Sequence, residues 1–119
     1  MKRFAIKSLI VTAIASVSAT ALAYQDTDYF TIGRLEGSSA ASDSFRVYPK
    51  NYSLPTSQGC AKSDFAEIQS NGPLSGEKAL MTKTLMAAFM ASRKVKLRLD
   101  GCGVSGRPAY RIVTLDADQ

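Results

Sequence analysis

The chain has 119 residues, with 15 Lys and Arg against 10 Asp and Glu, no histidine and a formal net charge of +5. A chain this short holds one hydrophobic core. The missing histidine withholds the usual general base and a favoured metal ligand.

The N-terminus reads as a cleavable export signal. Lys2, Arg3 and Lys7 make a basic start, residues 8–17 are apolar and uncharged, and Ala21 and Ala23 put small residues at −3 and −1 of a cleavage point. A spanning helix needs about 20 predominantly apolar residues, and Ser16, Ser18 and Thr20 interrupt this one. The expectation is therefore a signal peptide over 1–23, one domain over 24–119, no stable membrane anchor after cleavage, and a periplasmic or secreted destination. No Cys lies near the cleavage point, which excludes a bacterial lipoprotein anchor. Losing Lys2, Arg3 and Lys7 cuts the 15 basic residues to 12 against 10 acidic ones. Non-specific nucleic-acid binding, which runs on net positive charge, then has little support.

Residues 24–28 are polar and read as a frayed end. Residues 29–36, rich in β-formers and ending at Gly37, read as a first strand. Residues 37–43 form a Ser- and Gly-rich loop, and 44–48 alternate as a second strand that Pro49 stops. After an irregular stretch over 50–63, residues 64–69 give a short third strand, and Asn71-Gly72-Pro73 marks a turn. Ser75 is placed to cap a helix with its side-chain oxygen, and Glu77 suits the positive end of the helix dipole. The helix body, 78–92, carries an apolar stripe of Leu80, Met81, Leu85, Ala88 and Phe89. Met86 and Met90 widen that stripe, which predicts burial on more than one side; if exposed, it would mark an oligomer interface. Arg93 and Lys94 close the helix. Residues 94–100 alternate without a break as a fourth strand, and 109–115 make the fifth.

Cys60 and Cys102 are the only cysteines. In an oxidising compartment the simplest reading is one disulfide, the alternative being two free thiols or a metal pair without histidine. The fold class is mainly β with one helix (α+β). The order β-β-β-α-β-β is that of an OB-like five-stranded Greek-key barrel, and an antiparallel sheet packed on one helix shares it.

Cys60 before the third strand, the run from Lys78-Ala79-Leu80 through Leu85-Met86-Ala87-Ala88-Phe89-Met90 to Arg93-Lys94-Val95-Lys96-Leu97, and Cys102 after the fourth strand form a pattern. It resembles small exported bacterial proteins similar to the binding subunit of subtilase cytotoxin. The likeness covers residues 60–115, about half the chain. It implies an OB-fold, assembly into pentameric rings and glycan binding. No sugar-contacting residue of that family is carried over onto residues 29–59.

Catalytic chemistry has few candidates. Asp64, Glu67 and Asp100 have no useful pairing and read as solvated surface acids, so neither an enzyme, a metal nor a cofactor is expected. The fourth strand turns Val95, Leu97 and Leu99 inward and Lys94, Lys96 and Arg98 outward, with Arg111 extending the row from the next strand. That row is a contact for acidic sugars, phosphates or an acidic partner, or else a solvated face whose cations discourage edge-to-edge aggregation. Tyr48 and Tyr52, flanking Pro49-Lys50-Asn51, are either sugar-stacking residues or the cover of a small barrel. Two functions follow: an exported non-catalytic module, alone or as a homo-oligomer, binding a glycan or a protein, or a periplasmic structural or accessory protein with no small-molecule ligand.

Overall fold

The computed structural model describes residues 24–38, 44–69 and 74–117. The expected signal peptide at 1–23, the loop tip at 39–43 and the turn at 70–73 lie outside the described residues. The fold is mainly β, a six-stranded mixed sheet with one helix and one Cys60–Cys102 disulfide. Its strands are β1 (Gln25–Asp26), β2 (Thr31–Ser38), β3 (Ser44–Lys50), β4 (Ala66–Gln69), β5 (Val95–Cys102) and β6 (Pro108–Leu115), with α1 (Glu77–Met90) between β4 and β5.

The spatial order is β1-β5-β6-β4-β3-β2. All neighbours are antiparallel except β4 and β6, whose parallel pairing is confined to Glu67 opposite Ala109. The segment expected to fray is instead ordered. Gln25 and Asp26 pair with Leu99 and Arg98, the Thr27 amide donates to the Leu97 carbonyl, and Phe30 exchanges two backbone hydrogen bonds with Val95. Thr27 lies buried, and its hydroxyl accepts from the Leu97 amide at 3.0 Å. One stretch of chain therefore borders β5 with residues 25–30 and β3 with residues 31–38, so the two ends of the strand order are joined covalently.

The core follows the alternation of β5. Val95, Leu97 and Leu99 are fully buried, as expected, and pack with Val47, Ala66, Ile68, Leu85, Ala88 and Tyr110. Each large apolar side chain buried in this way contributes about 1.5–3 kcal/mol by leaving water. Tyr110 brings its hydroxyl inside as well, donating to the Phe45 carbonyl, and burial pushes its pKa far above the usual phenol range.

The helix departs from the expected pattern at both ends and on one face. Gly76 takes the N-cap position with φ 59°, and no side chain caps the first turn. Ser75 contributes its backbone carbonyl, which accepts from the Lys78 and Ala79 amides. At the other end Ser92 adopts φ 55°. Its amide donates to the Phe89 carbonyl and the Arg93 amide to the Ala88 carbonyl, a Schellman closure with serine where glycine is usual. Inward, Leu85 and Ala88 are buried and Met81 is half-buried. Outward, Leu80, Met86, Phe89 and Met90 are exposed, Met90 by 82%. The expected burial on more than one side is thus corrected: a single helix lying on one sheet can cover only one arc of its own surface.

Candidate functional site

Three strand ends converge at one rim of the sheet. Thr31 opens β2 and pairs with Lys50, the last residue of β3, while Lys94 enters β5 from the helix. Gly33 sits at a register shift in β2 beside this pair. A Cβ there would lie 3.2 Å from the Lys50 Cβ, so glycine allows the close approach that seats Lys50. Asn51 then takes a left-handed φ of 54°, a conformation asparagine tolerates better than most residues. The turn folds Tyr52 back against Phe30, the rings lying 5.2 Å apart and 3° from parallel. The Asp28 amide donates to the Tyr52 hydroxyl at 3.0 Å, fixing the ring by its tip.

Between these residues lies a cavity of about 330 Å³ lined by Tyr29, Phe30, Thr31, Lys50, Asn51, Tyr52 and Lys94. That volume falls at the small end of ligand pockets, about 300–1,000 Å³. Tyr29 is 41% exposed, and the Lys96 ammonium lies 5.2 Å from its ring centroid. Both charged residues of the lining are cations, and no carboxylate lines the cavity among the described residues. The site therefore offers two ammonium groups, an amide, a hydroxyl and aromatic surface around one open hollow. These groups can compensate an anion and hydrogen-bond a polyhydroxylated ring lying against tyrosine.

The residues singled out in the sequence are divided by the structure. Tyr52 and Lys94 meet in this cavity, and Lys96 stands behind Tyr29. Tyr48 lies elsewhere. Its hydroxyl donates to Glu36, its ring packs on Phe65, and the Arg34 guanidinium stacks 3.8 Å from its centroid. Arg98 is held in a two-point pair with Asp26, at 2.8 and 3.2 Å, and covers Tyr24. Arg111 does not extend the β5 row. Lys96 and Arg98 stand opposite Thr114 and Ile112, the register shift between Arg98 and Leu99 leaves Arg111 without a strand partner, and its guanidinium pairs with Asp100 at 3.0 Å. Nothing in the sequence separates Tyr29 or Thr31 from other residues of a first strand, and Lys50 and Asn51 stand out there only as the spacer between two tyrosines.

Of the three acids read as solvated, Glu67 is corrected: it is 1% exposed. Both faces of β4 are covered, since Phe65, Ala66, Glu67 and Ile68 are all buried. The Ser105 amide and hydroxyl both donate to one Glu67 carboxylate oxygen, tying the loop between β5 and β6 to the sheet. A second cavity of about 440 Å³ adjoins it, lined by Glu67, Glu77 and Asp100 but also by Lys78 and Arg111. Its mixed charge selects for neither sign.

Three paired carboxylates bear on the acid limit of stability. Hydrogen bonding from Arg98 holds Asp26 below the usual carboxylate range, Tyr48 and then Arg46 do the same for Glu36, and Arg107 for Asp64. A carboxylate with a lowered folded pKa adds stability that is complete above its unfolded pKa of about 4 and is lost as pH falls through the folded value. The urea midpoint is thus expected to hold steady from about pH 7 to pH 5 and to fall below about pH 4. Asp64→Asn should flatten that acid decline, and an unchanged slope would show that its pair with Arg107 adds nothing. No metal-binding cluster of His, Cys, Asp or Glu occurs among the described residues, and no helix among them is long and apolar enough to cross a membrane. No protein-family model matches the chain, and no curated protein or solved structure shows significant similarity to it.

Proposed function

We propose that the chain is an exported, non-catalytic binding module of OB-barrel type whose rim cavity takes an acidic glycan. The observation that carries this reading is the lining itself: two cations, no carboxylate among the described residues, and two tyrosines beside an amide and a hydroxyl. Tyrosine faces stack on sugar rings, and ammonium groups give charge-assisted hydrogen bonds to a carboxylate or sulfate. A barrel is supported by the continuous run of residues 25–38 along both β5 and β3, as in a Greek-key sheet curled shut. The disulfide is compatible with export. The absence of histidine and the use of both cysteines in the bridge favour binding over catalysis. The resemblance to subtilase cytotoxin binding-subunit proteins points the same way, toward a glycan ligand and a homo-oligomer.

The outward face of α1 favours a second reading, a structural or accessory protein that meets another protein. Leu80, Met86 and Met90 are exposed there, and large exposed apolar patches mark interaction surfaces. A glycan array probed with the disulfide-bonded protein separates the two readings. Binding to acidic glycans that drops about tenfold or more in Lys50→Ala and Lys94→Ala, the scale of a lost charged hydrogen bond, supports the first. No binding to any glycan would sink it and leave the second.

A further inference from the structure

We infer that the ligand is a chain rather than a single sugar: an acidic oligosaccharide carrying negative charge on more than one unit. The inference rests on the glycan reading above and extends it to a second subsite. A cavity of about 380 Å³ adjoins the first and shares Thr31 and Lys50 with it. Its other walls include Ile32 and Gly33 of β2 and, from the end of α1, Phe89, Ser92 and Arg93. The two hollows flank the Thr31–Lys50 pair, whose residues line both, and a ligand long enough to cross that pair would occupy the two as one groove.

The groove carries one charge sign along its length. Lys94, Lys50 and Arg93 are its charged residues, and no carboxylate lines either part among the described residues. Arg46, Arg98, Arg107 and Arg111, by contrast, are each matched to a carboxylate, and none of them lines the groove. The Schellman closure of α1 explains how adjacent residues serve both halves. The left-handed Ser92 turns the chain so that Arg93 lines one hollow and Lys94 the other. Each half also has an aromatic platform: Tyr29 in the first, 41% exposed, and Phe89 in the second, 44% exposed. Arg93 is steadied by donating to the Ala117 carbonyl at 3.0 Å. A repeated set of one ring surface with one or two cations fits a polymer of repeating charged units.

Calorimetric titration tests this with two length series, galacturonic acid against its di- and trimers, and heparin-derived disaccharide against tetrasaccharide. A single-stranded oligothymidylate serves as the competing polyanion. The longer member of at least one series should bind tenfold or more tightly than the shorter. Phe89→Ala and Arg93→Gln should remove that gain while leaving the affinity of the short member unchanged, and Lys50→Ala should weaken both. Arg93→Lys, which keeps the charge, should retain most of the gain, and unchanged urea midpoints would confirm that these variants fold. Equal affinity for short and long members, or a length gain untouched at Phe89 and Arg93, overturns the second subsite and leaves the glycan reading standing. No binding by any member of either series overturns the second subsite as well, and the glycan array then decides whether the glycan reading stands. An oligothymidylate bound as tightly as the sugars overturns the carbohydrate assignment.

Discussion

Replacing Cys60 and Cys102 together by serine is expected to lower the free energy of unfolding by about 4 kcal/mol, the chain-entropy value for a loop of this length. The bridge joins residues 42 apart in sequence, and its two ends sit where regular structure stops. Cys60 lies in the long connection between β3 and β4, and Cys102 ends β5. Without the bridge that connection retains only scattered fastenings. The Gly101 amide donates to the Gln58 side-chain oxygen at 2.6 Å, the Lys62 amide to the Gly106 carbonyl at 3.1 Å, and Leu54 is buried. Urea unfolding of the oxidised protein and the double serine variant measures the difference. Against a typical total of about 5–15 kcal/mol, the loss would leave a marginal domain. A change below about 1 kcal/mol would mean that the local fastenings alone restrain the loop, and would remove the main stabilising role assigned to the bridge.

Leu85→Ala is expected to cost about 2–5 kcal/mol, the range for truncating a buried leucine, whereas Met90→Ala should stay within about 0.5 kcal/mol. Both residues are large, apolar and on the same helix, so hydropathy alone predicts similar losses. Leu85 is fully buried, while Met90 is 82% exposed. Leu85 is the one large side chain of α1 wholly inside the core cluster, so its removal leaves a cavity that its surroundings fill only in part. Paired chemical denaturation of the two variants is the measurement. Equal losses would show the outward face of α1 to be covered in solution, which would itself favour contact with another protein.

The contrast between those two residues marks where the sequence was legible. Period-two alternation named the buried set of β5 correctly, because Val95, Leu97 and Leu99 differ in kind from Lys96 and Arg98 between them. The helix offers no such contrast: its apolar residues run all the way round, so the pattern cannot say which arc meets the sheet. Glu67 was misread for a related reason. A lone acid in a short strand looks solvated unless the covering loop is known, and Ser105 lies 38 residues away. The mainly β class, the single helix and the disulfide were visible in composition and punctuation. The two-residue β1 was not, because Gln25 and Asp26 carry no strand preference of their own and are held by partners far along the chain.

The candidate site was half legible. Aromatic and cationic residues around Lys50 and along β5 drew notice as types, and Tyr52 and Lys94 do share a cavity. What the sequence could not supply was the pairing that decides membership. Tyr48 and Arg98 have the same chemistry as residues of the groove, yet each is engaged by an acid, Glu36 or Asp26. Tyr29 joins because the backbone bonds between Phe30 and Val95 bring its segment beside Lys94 and Lys96.

Those same bonds have a consequence for the order of events in folding. The hydrogen bond between Leu97 and Thr27 joins residues 70 positions apart, so the opening strand has no partner along that edge until most of the polypeptide is present. Contacts of such long range slow folding, because the loop-closure entropy is lost before the contact forms. β1 thus waits on β5, whereas β2 and β3, close in sequence, can pair without it. Closure of the sheet along β1 is therefore a late step in folding.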